Sequence, residues 1–181
     1  MLTQERLKEV LYYNEATGDL TWLEARGNRS IGSVAGTKTK KGYLQIRVDE
    51  KFYLAHRLVW MYVHGEFPAS ALDHINLDRC DNRLTNLRLA TASQNQYNTG
   101  VRKDSVTGVK GVSWHKASKR YKAAITSRGV TTILGYFGTI AEAATAYASA
   151  ADRLHGDFAR ARRIHVDATD KTVEDVTILG F

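Results

Sequence analysis

Residues 72–95 concentrate side chains that could hold a metal ion and activate a water molecule. Asp73 and His74 are adjacent, and Asn86 and Asn95 follow in the same segment. Carboxylate and amide oxygens are hard ligands that suit Mg²⁺ or Mn²⁺. A histidine near its ordinary pKa can take a proton from water. The combination is suited to attack on a phosphate, with the metal stabilising the charge that develops on it.

The pattern around these residues predicts a β-hairpin followed by a helix. Residues 72–75 are expected to form a strand, 76–85 a loop, and 87–90 the antiparallel partner strand. Residues 91–94 (TASQ) then fit a capping box at the start of a helix.

This arrangement would bring Asp73, at the end of one strand, close to Asn95 in the first turn of the helix. Two protein ligands would leave positions on the metal for phosphate and water. Asn86 lies where the loop joins the second strand, so it is predicted to tie the loop across the hairpin and to orient the ring of His74.

The order Asp73-His74, Asn86, Asn95 resembles the His-Asn-Asn variant of the HNH (ββα-metal) nucleases found in phage homing endonucleases. The segments DLTW, GYLQIRV, AHRLVW and DNRLTNLR also resemble that family, over roughly residues 7–98. The resemblance implies cleavage of DNA with one divalent metal, His74 as general base, and Asp73 and Asn95 as metal ligands. Asn95 stands where many members have histidine, which favours Mg²⁺ or Mn²⁺ over zinc.

Other polar residues of this half allow more than one interpretation. His56, in AHRLVW, is expected on a strand as either a neighbour of the site or a packed core histidine. Arg79 and Arg83 are interpreted as loop charges that could also contact phosphate. The alternative for the whole set is that its Asp and Asn side chains only stabilise turns.

Upstream of the hairpin, the sequence predicts short elements. Residues 2–13 favour an amphipathic helix, and residues 19–23 favour a strand after a turn at Thr17-Gly18. A basic loop is expected over residues 27–41. Strands at 42–48 and 51–57 and a short helix at 58–63 complete this region.

The positive charge belongs to the second half of the chain. Residues 1–95 carry 13 Lys or Arg against 11 Asp or Glu, giving +2, whereas residues 96–165 carry 12 against 4, giving +8. Residues 166–181 carry 1 against 4, giving −3. A compact basic domain is what binding to nucleic-acid phosphates requires.

The second half predicts three short strands, with turns near 117–118 and 127–129, and then an alanine-rich helix. A capping box at Thr139 and Glu142 begins this helix, and Gly156 is expected to end it. The predicted fold class is therefore α+β: a nuclease domain at 1–98 with its ββα core at about 72–98, a linker at 99–107, a domain of three antiparallel strands packed on one helix at 108–165, and an acidic extension at 166–181.

The segments KGVSWHK, RYKAAI, LGYFGTIAEAATAYASAA and HGDFA resemble the Apetala-two/ethylene-response-factor type of DNA-binding domain, over about residues 108–160. Trp114 could stack on sugars or pack in the core. Lys110 and Ser113 replace arginines of the plant pattern, so the plant target sequence is not expected. The predicted DNA-binding residues are Lys110, Ser113, Trp114, His115, Lys119, Arg120, Lys122 and Arg128.

Composition limits the remaining possibilities. The single cysteine, Cys80, excludes an internal disulfide and a four-cysteine zinc site, and no apolar run is long enough to span a bilayer. We expect a cytoplasmic protein of a phage-infected bacterial cell that binds double-stranded DNA as a monomer or weak dimer, with no membrane partner, small-molecule cofactor or zinc. The alternatives are a DNA-binding transcriptional regulator with an inactive HNH domain and an RNA-binding structural protein.

Overall fold

The computed structural model describes residues 2–27 and 29–159. The chain divides into two compact units between Thr91 and Ala92, earlier than the linker predicted at 99–107. The helix that follows the hairpin therefore belongs to the second unit. The acidic segment 166–181 and the end of the predicted binding domain lie outside the described residues. None of the described helices is both long and apolar enough to cross a membrane.

The first unit combines two helices with small antiparallel sheets, as the α+β prediction requires. The strands pair as β1–β2, β3–β4–β5 and β6–β7. The elements in chain order are α1 (Gln4–Val10), β1 (Leu11–Tyr13), β2 (Leu20–Trp22), β3 (Thr37–Lys38), β4 (Leu44–Val48), β5 (Lys51–Leu54), α2 (Ala55–His64), β6 (Ala71–His74), a 3₁₀ turn (Leu84–Asn86) and β7 (Leu87–Ala90).

The predicted helix over residues 2–13 is too long at its C-terminal end. The Thr3 hydroxyl caps α1 by accepting the Arg6 N–H, and the helix ends at Val10. Leu11 and Tyr13 then pair with β2, and both side chains are buried. Residues 11–13 form a strand rather than a helix because alternate residues of a strand point to one face, which places both side chains in the core.

The predicted strand over residues 51–57 is also too long. β5 ends at Leu54 and α2 begins at Ala55, so His56 lies in the first turn of a helix rather than on a strand. Gly65 ends α2 in the left-handed region, with φ of +83°. The helical start buries Ala55, His56, Leu58 and Val59 together, which a strand could not do because its side chains alternate between two faces.

One apolar core fixes these elements. Leu7 of α1, Leu58 of α2 and Ile46 of β4 belong to one buried cluster that also includes Leu87 of β7. Burial of each such side chain stabilises the fold by about 1.5–3 kcal/mol. Because Leu87 pairs with His74 across the hairpin, the same core holds the hairpin that carries the candidate catalytic residues.

The second unit contains the three antiparallel strands and the helix predicted from the sequence. The strand order is β10–β9–β8, and β10 contains an irregularity between Ile133 and Gly135. Its elements are α3 (Ala92–Tyr97), β8 (Val112–His115), β9 (Arg120–Ser127), β10 (Val130–Phe137), α4 (Ile140–His155) and a 3₁₀ turn (Gly156–Phe158).

α4 packs on the sheet through small side chains, and its capping is as predicted. Thr139 and Glu142 form a complete capping box, and Gly156 is the C-cap. The buried alanines of α4 allow the strands to approach closely. Gly111 has φ of +73°, and a Cβ atom there would lie 2.1 Å from Cε2 of Tyr147 and 2.7 Å from the Ala124 carbonyl oxygen.

We predict that Gly111→Ala destabilises the second unit by on the order of 3 kcal/mol, because left-handed strain adds to overpacking against Tyr147. Gly129→Ala is the matched control: Gly129 has φ of +80°, but a Cβ atom added there would meet no atom of the described residues within 4 Å. It should cost only about 1 kcal/mol from backbone strain. Urea denaturation of both variants measures the difference. Equal losses would mean that the close approach to Tyr147 contributes nothing.

Candidate active site

The β6–β7 hairpin carries the candidate catalytic pair at its end. Asp73 and His74 are the last residues of β6, and both are buried. Asp73 faces Arg88 in the strand register, and Arg88 donates from Nε and Nη2 to Asp73 Oδ2 at 2.9 and 2.7 Å. The carboxylate is therefore oriented by a partner on the neighbouring strand.

Asn82 holds the ring of His74. The Nε2 atom of His74 lies 3.2 Å from Oδ1 of Asn82, and Asn82 is only 1% exposed. The Asn82 amide donates from Nδ2 to the Cys80 carbonyl at 3.1 Å, which fixes its orientation and leaves Oδ1 toward the ring. Nε2 must then carry the hydrogen, so Nδ1 of the neutral ring carries the lone pair that a base needs.

The surroundings of His74 favour the neutral imidazole. Burial lowers the pKa of His74, while the hydrogen bond to Asn82 and the carboxylates of Asp73 and Asp81 act in the opposite direction. Burial has the larger effect, so the ring is neutral at neutral pH. A neutral ring with a fixed tautomer can accept a proton.

Asn86 ties the loop, which is one half of its predicted role. Its Oδ1 accepts the Asn76 N–H at 3.0 Å, and its Nδ2 donates to Asn76 Oδ1 and to the Asp81 carbonyl at 2.9 and 2.8 Å. The contact that orients the ring of His74 is made instead by Asn82. The sequence offered no periodicity to separate the two asparagines, because both lie in the segment that connects β6 and β7.

The N-terminal hairpin supports the Asn82 segment, which the sequence did not predict. The Tyr13 hydroxyl donates to the Asn82 carbonyl at 3.2 Å and accepts the Leu84 N–H at 2.9 Å. Gly18 lies so close to this segment that a Cβ atom added to it would be 2.4 Å from the backbone nitrogen of Arg83. The turn before β2 therefore contacts the loop that holds His74.

His56 is both buried and a neighbour of the site, which joins the two alternatives left open above. Its ring centre lies 5.1 Å from that of His74 at an interplanar angle of 88°. The Tyr43 ring lies 5.3 Å from His56 and 5.9 Å from His74. The Nδ1 atom of His56 is buried without a hydrogen-bond partner among the described residues. Burial, and secondarily the charges of His74 and Arg57, lower the pKa of His56 to about 4.

The two loop arginines differ in their contacts. Arg83 pairs with Asp81 at 2.6 Å and is the main reason that the pKa of Asp81 falls to about 2. Arg79 donates to the Lys41 carbonyl, and its guanidinium lies 4.8 Å from the Tyr43 ring centre. Arg79 thus joins the β3–β4 hairpin to the loop between β6 and β7, and it remains exposed beside that loop.

The donor atoms at this site fit a hard divalent cation. Asp73 provides a buried carboxylate at this site. The other predicted ligand, Asn95, lies half-exposed on α3 of the second unit. Over residues 2–27 and 29–159, no three His, Cys, Asp or Glu side chains gather closely enough to hold a metal by themselves. An ion held by Asp73 would therefore take most of its ligands from phosphate and water oxygens, as Mg²⁺ and Mn²⁺ commonly do.

α4 covers one face of the sheet of the second unit, and no described element of that unit covers the other, which we call the open face. Val112, Ala123 and Ile125 are buried in the clusters that α4 completes. Alternation along the strands places the neighbouring residues on the open face. Those residues are Ser113 and His115 of β8, Arg120 and Lys122 of β9, and Tyr136 of β10.

The remaining predicted DNA-binding residues lie elsewhere. Trp114 follows the alternation to the α4 side, where it is 46% exposed and makes an edge contact with Tyr121 at 4.9 Å. Lys119 and Arg128 occupy the two strand-connecting turns, with φ of +49° and +50°. Lys110 donates from Nζ to backbone carbonyls at the end of α3.

Comparisons with known proteins indicate an endonuclease family. A family model described as HNH endonuclease matches residues 53–97. Protein 3.8 of Escherichia phage T7 is 32% identical over 117 residues, which cover 62% of this chain and 96% of that protein. An uncharacterized HNH endonuclease, L560, of Acanthamoeba polyphaga mimivirus is 32% identical over 127 residues, covering 69% of this chain and 65% of that one.

One solved structure also aligns with the chain. It concerns DNA binding and cleavage by the HNH homing endonuclease I-HmuI, with a TM-score of 0.39 and 20% sequence identity. The alignment covers 87% of this chain and 88% of the other.

We predict that His56 makes the first unit less stable in acid. Its pKa is 6.5 in an unfolded chain and about 4 when folded. The folded protein therefore has its full stability above pH 6.5 and loses it as the pH falls toward 4, by on the order of 3 kcal/mol from this residue. His56→Phe should remove most of that loss in urea denaturation measured between pH 7 and 4.

His64→Phe is the control, because His64 is an exposed histidine on the same helix. It should retain the pH dependence of the unsubstituted protein. If His56→Phe and His64→Phe lose stability equally on acidification, the buried histidine is not responsible.

Proposed function

Because the chain belongs to the HNH endonuclease family, we propose that it is a homing-type endonuclease that cleaves duplex DNA, with His74 as general base and one divalent metal ion. The observation that carries the proposal is the buried His74 ring, held by Asn82 and adjacent to the Asp73 carboxylate. A bacteriophage relative supports action inside an infected bacterial cell.

His74 would remove a proton from the water that attacks phosphorus. The hydrogen bond from Nε2 to Asn82 leaves the lone pair on Nδ1, so the proton would transfer to that atom. A positioned base of this kind contributes about 10²–10⁴-fold to the rate. Asn82 would act as a positioning residue, through its hydrogen bond to His74.

Asp73 and Asn95 would hold the metal, for which we propose Mg²⁺ or Mn²⁺. When bound, such an ion supplies positive charge to the scissile phosphate and to the leaving 3′ oxygen. Arg88 would keep the Asp73 carboxylate in one orientation through its two hydrogen bonds to Oδ2.

The second unit would bind the DNA backbone, as the resemblance to Apetala-two/ethylene-response-factor domains implies. Support comes from the open sheet face, where Arg120 and Lys122 lie beside Ser113, His115 and Tyr136. A three-stranded sheet can present such a face to a groove. The turn residues Lys119 and Arg128 would extend this surface, and Trp114 would contact DNA only at its edge.

We predict that His74→Ala reduces cleavage by about 10²–10⁴-fold, because it removes the base. Asn82→Ala should also reduce kcat, since the ring loses its fixed tautomer, while the KM for DNA changes little. The assay follows nicking and linearisation of supercoiled plasmid carrying phage or host DNA, with Mg²⁺, Mn²⁺ or EDTA.

Thr85→Ala provides the control, because Thr85 is exposed in the same loop. It should cleave like the unsubstituted protein. Tight DNA binding without cleavage in any metal, on a plasmid that contains the target site, would favour the alternative of a DNA-binding regulator. A preference for single-stranded RNA in competition binding would favour the RNA-binding alternative.

We predict that Lys122→Ala weakens DNA binding and lowers the slope of log K against log salt by about 1, because one phosphate contact is lost. Arg153→Ala is the matched control, since Arg153 is an exposed cation in the last turn of α4. Its salt slope should be unchanged. An unchanged slope for Lys122→Ala would exclude Lys122 from the contact surface.

A further inference from the structure

Four uncharged side chains lie together on the open face of the sheet in the second unit. Ala124 and Thr126 reach this face from β9, because the residues that alternate with them are buried under α4. The strand register places Ile133 of β10 opposite Ala124 and Thr131 opposite Thr126. Thr126, Thr131 and Ile133 are exposed, and Ala124 is half-buried. We call these four residues the uncharged patch.

Cations lie on both sides of the uncharged patch along β9. Lys122 precedes it on the open face, and Arg128 follows it, exposed in the turn between β9 and β10. A strand rises about 3.3 Å per residue, so Lys122 and Arg128 are separated by roughly 20 Å. The major groove of DNA is about 12 Å wide and has phosphates along both edges. With its two cations near phosphates, the face would therefore place the patch on the base edges between them.

The two threonines of the patch hold each other in place. Their Oγ1 atoms lie 2.8 Å apart across the strand pair. Threonine is β-branched and has few favourable side-chain rotamers, so this hydrogen bond fixes the direction of both methyl groups and both hydroxyls. The hydroxyl that accepts the bond retains its own hydrogen, which a base acceptor can receive. The patch is therefore ordered before any ligand arrives.

The apolar surface of the patch has one counterpart in the major groove. Ile133 is 54% exposed, and the register places Ala124 directly opposite it. Among the groups that the four bases present in this groove, only the C5 methyl group of thymine is apolar, and the others are hydrogen-bond donors and acceptors. Burial of one methyl group against Ile133 would change the affinity by about fourfold.

We propose that the uncharged patch selects thymine in the major groove, by contact with its C5 methyl group. This inference rests on the proposed function, in which the second unit binds duplex DNA. Lys122 and Arg128 would fix the unit on the phosphates, which carry no sequence information, and Ile133 with its neighbours would read the bases. RNA offers no such contact, because uracil lacks the methyl group and the major groove of an RNA duplex is too deep and narrow for side chains.

The test uses the full chain in EDTA, so that binding is measured without cleavage. The unsubstituted protein first selects tightly bound duplexes from a random-sequence DNA pool. Each selected duplex is then made in two forms, one with thymine and one with uracil in its place, which removes the methyl group and keeps the hydrogen-bonding edge. Dissociation constants and their salt dependence are measured for the unsubstituted protein and for Ile133→Ser, Thr131→Ser and Val130→Ser.

We expect the unsubstituted protein to bind the uracil form about four- to tenfold more weakly than the thymine form. Ile133→Ser should bind the two forms within about twofold of each other. Its salt slope should equal that of the unsubstituted protein, because no phosphate contact is lost. Thr131→Ser, which keeps the hydroxyl pair and removes one methyl group, should reduce the difference between the two forms in part.

Val130→Ser is the matched control. Val130 is a β-branched residue of the same strand and is 67% exposed, but alternation turns it to the face opposite Ile133. This variant should retain the full difference between the thymine and uracil forms.

Two results would overturn the inference while DNA binding remains. Equal affinity of the unsubstituted protein for the two forms would mean that no methyl group is read. A full difference in both Ile133→Ser and Thr131→Ser would place the methyl contact outside the patch. Failure of the proposed function gives a different result: the pool would yield no duplex with salt-dependent binding, or single-stranded RNA would compete better than duplex DNA, and both proposals would then be wrong.

Discussion

The hydrogen bond between His74 and Asn82 is the interaction on which the candidate chemistry depends. It selects the tautomer of the ring and restricts its rotation, and both are required of a general base. Asn82 is almost fully buried, and hydrogen bonds hold the backbone around it. The Tyr13 hydroxyl donates to the Asn82 carbonyl, and Nδ2 of Asn86 donates to the Asp81 carbonyl.

Burial serves this bond but has an energetic cost. Two histidines lie in contact inside a core, and the Nδ1 atom of His56, which lacks a partner among the described residues, costs on the order of 1–3 kcal/mol. An apolar ring would pack there without that penalty. Selection for stability alone would therefore favour an apolar residue at position 56. Selection for a neutral His74 ring beside a polar loop is compatible with keeping His56.

Local sequence pattern was sufficient to predict the elements that depend on residues close together in the chain. The hairpin at 71–90, the three strands of the second unit and the capping box at Thr139 follow from alternation, turn residues and capping chemistry. The predicted ends of α1 and β5 were wrong because tertiary burial determines them. Leu11 and Tyr13 gain a strand partner, and Ala55 begins a helix that packs on the core. Propensity alone cannot weigh such contacts.

The roles of individual polar residues were the hardest to predict. Asn82 and Asn86 have the same chemistry four residues apart, and only the three-dimensional path of the loop decides which one reaches His74. Lys110 has the charge of a phosphate contact, yet its ammonium group meets the carbonyl end of α3. A cation on a basic domain can thus stabilise the end of a helix instead of contacting DNA, and charge counting along a sequence does not separate these two uses.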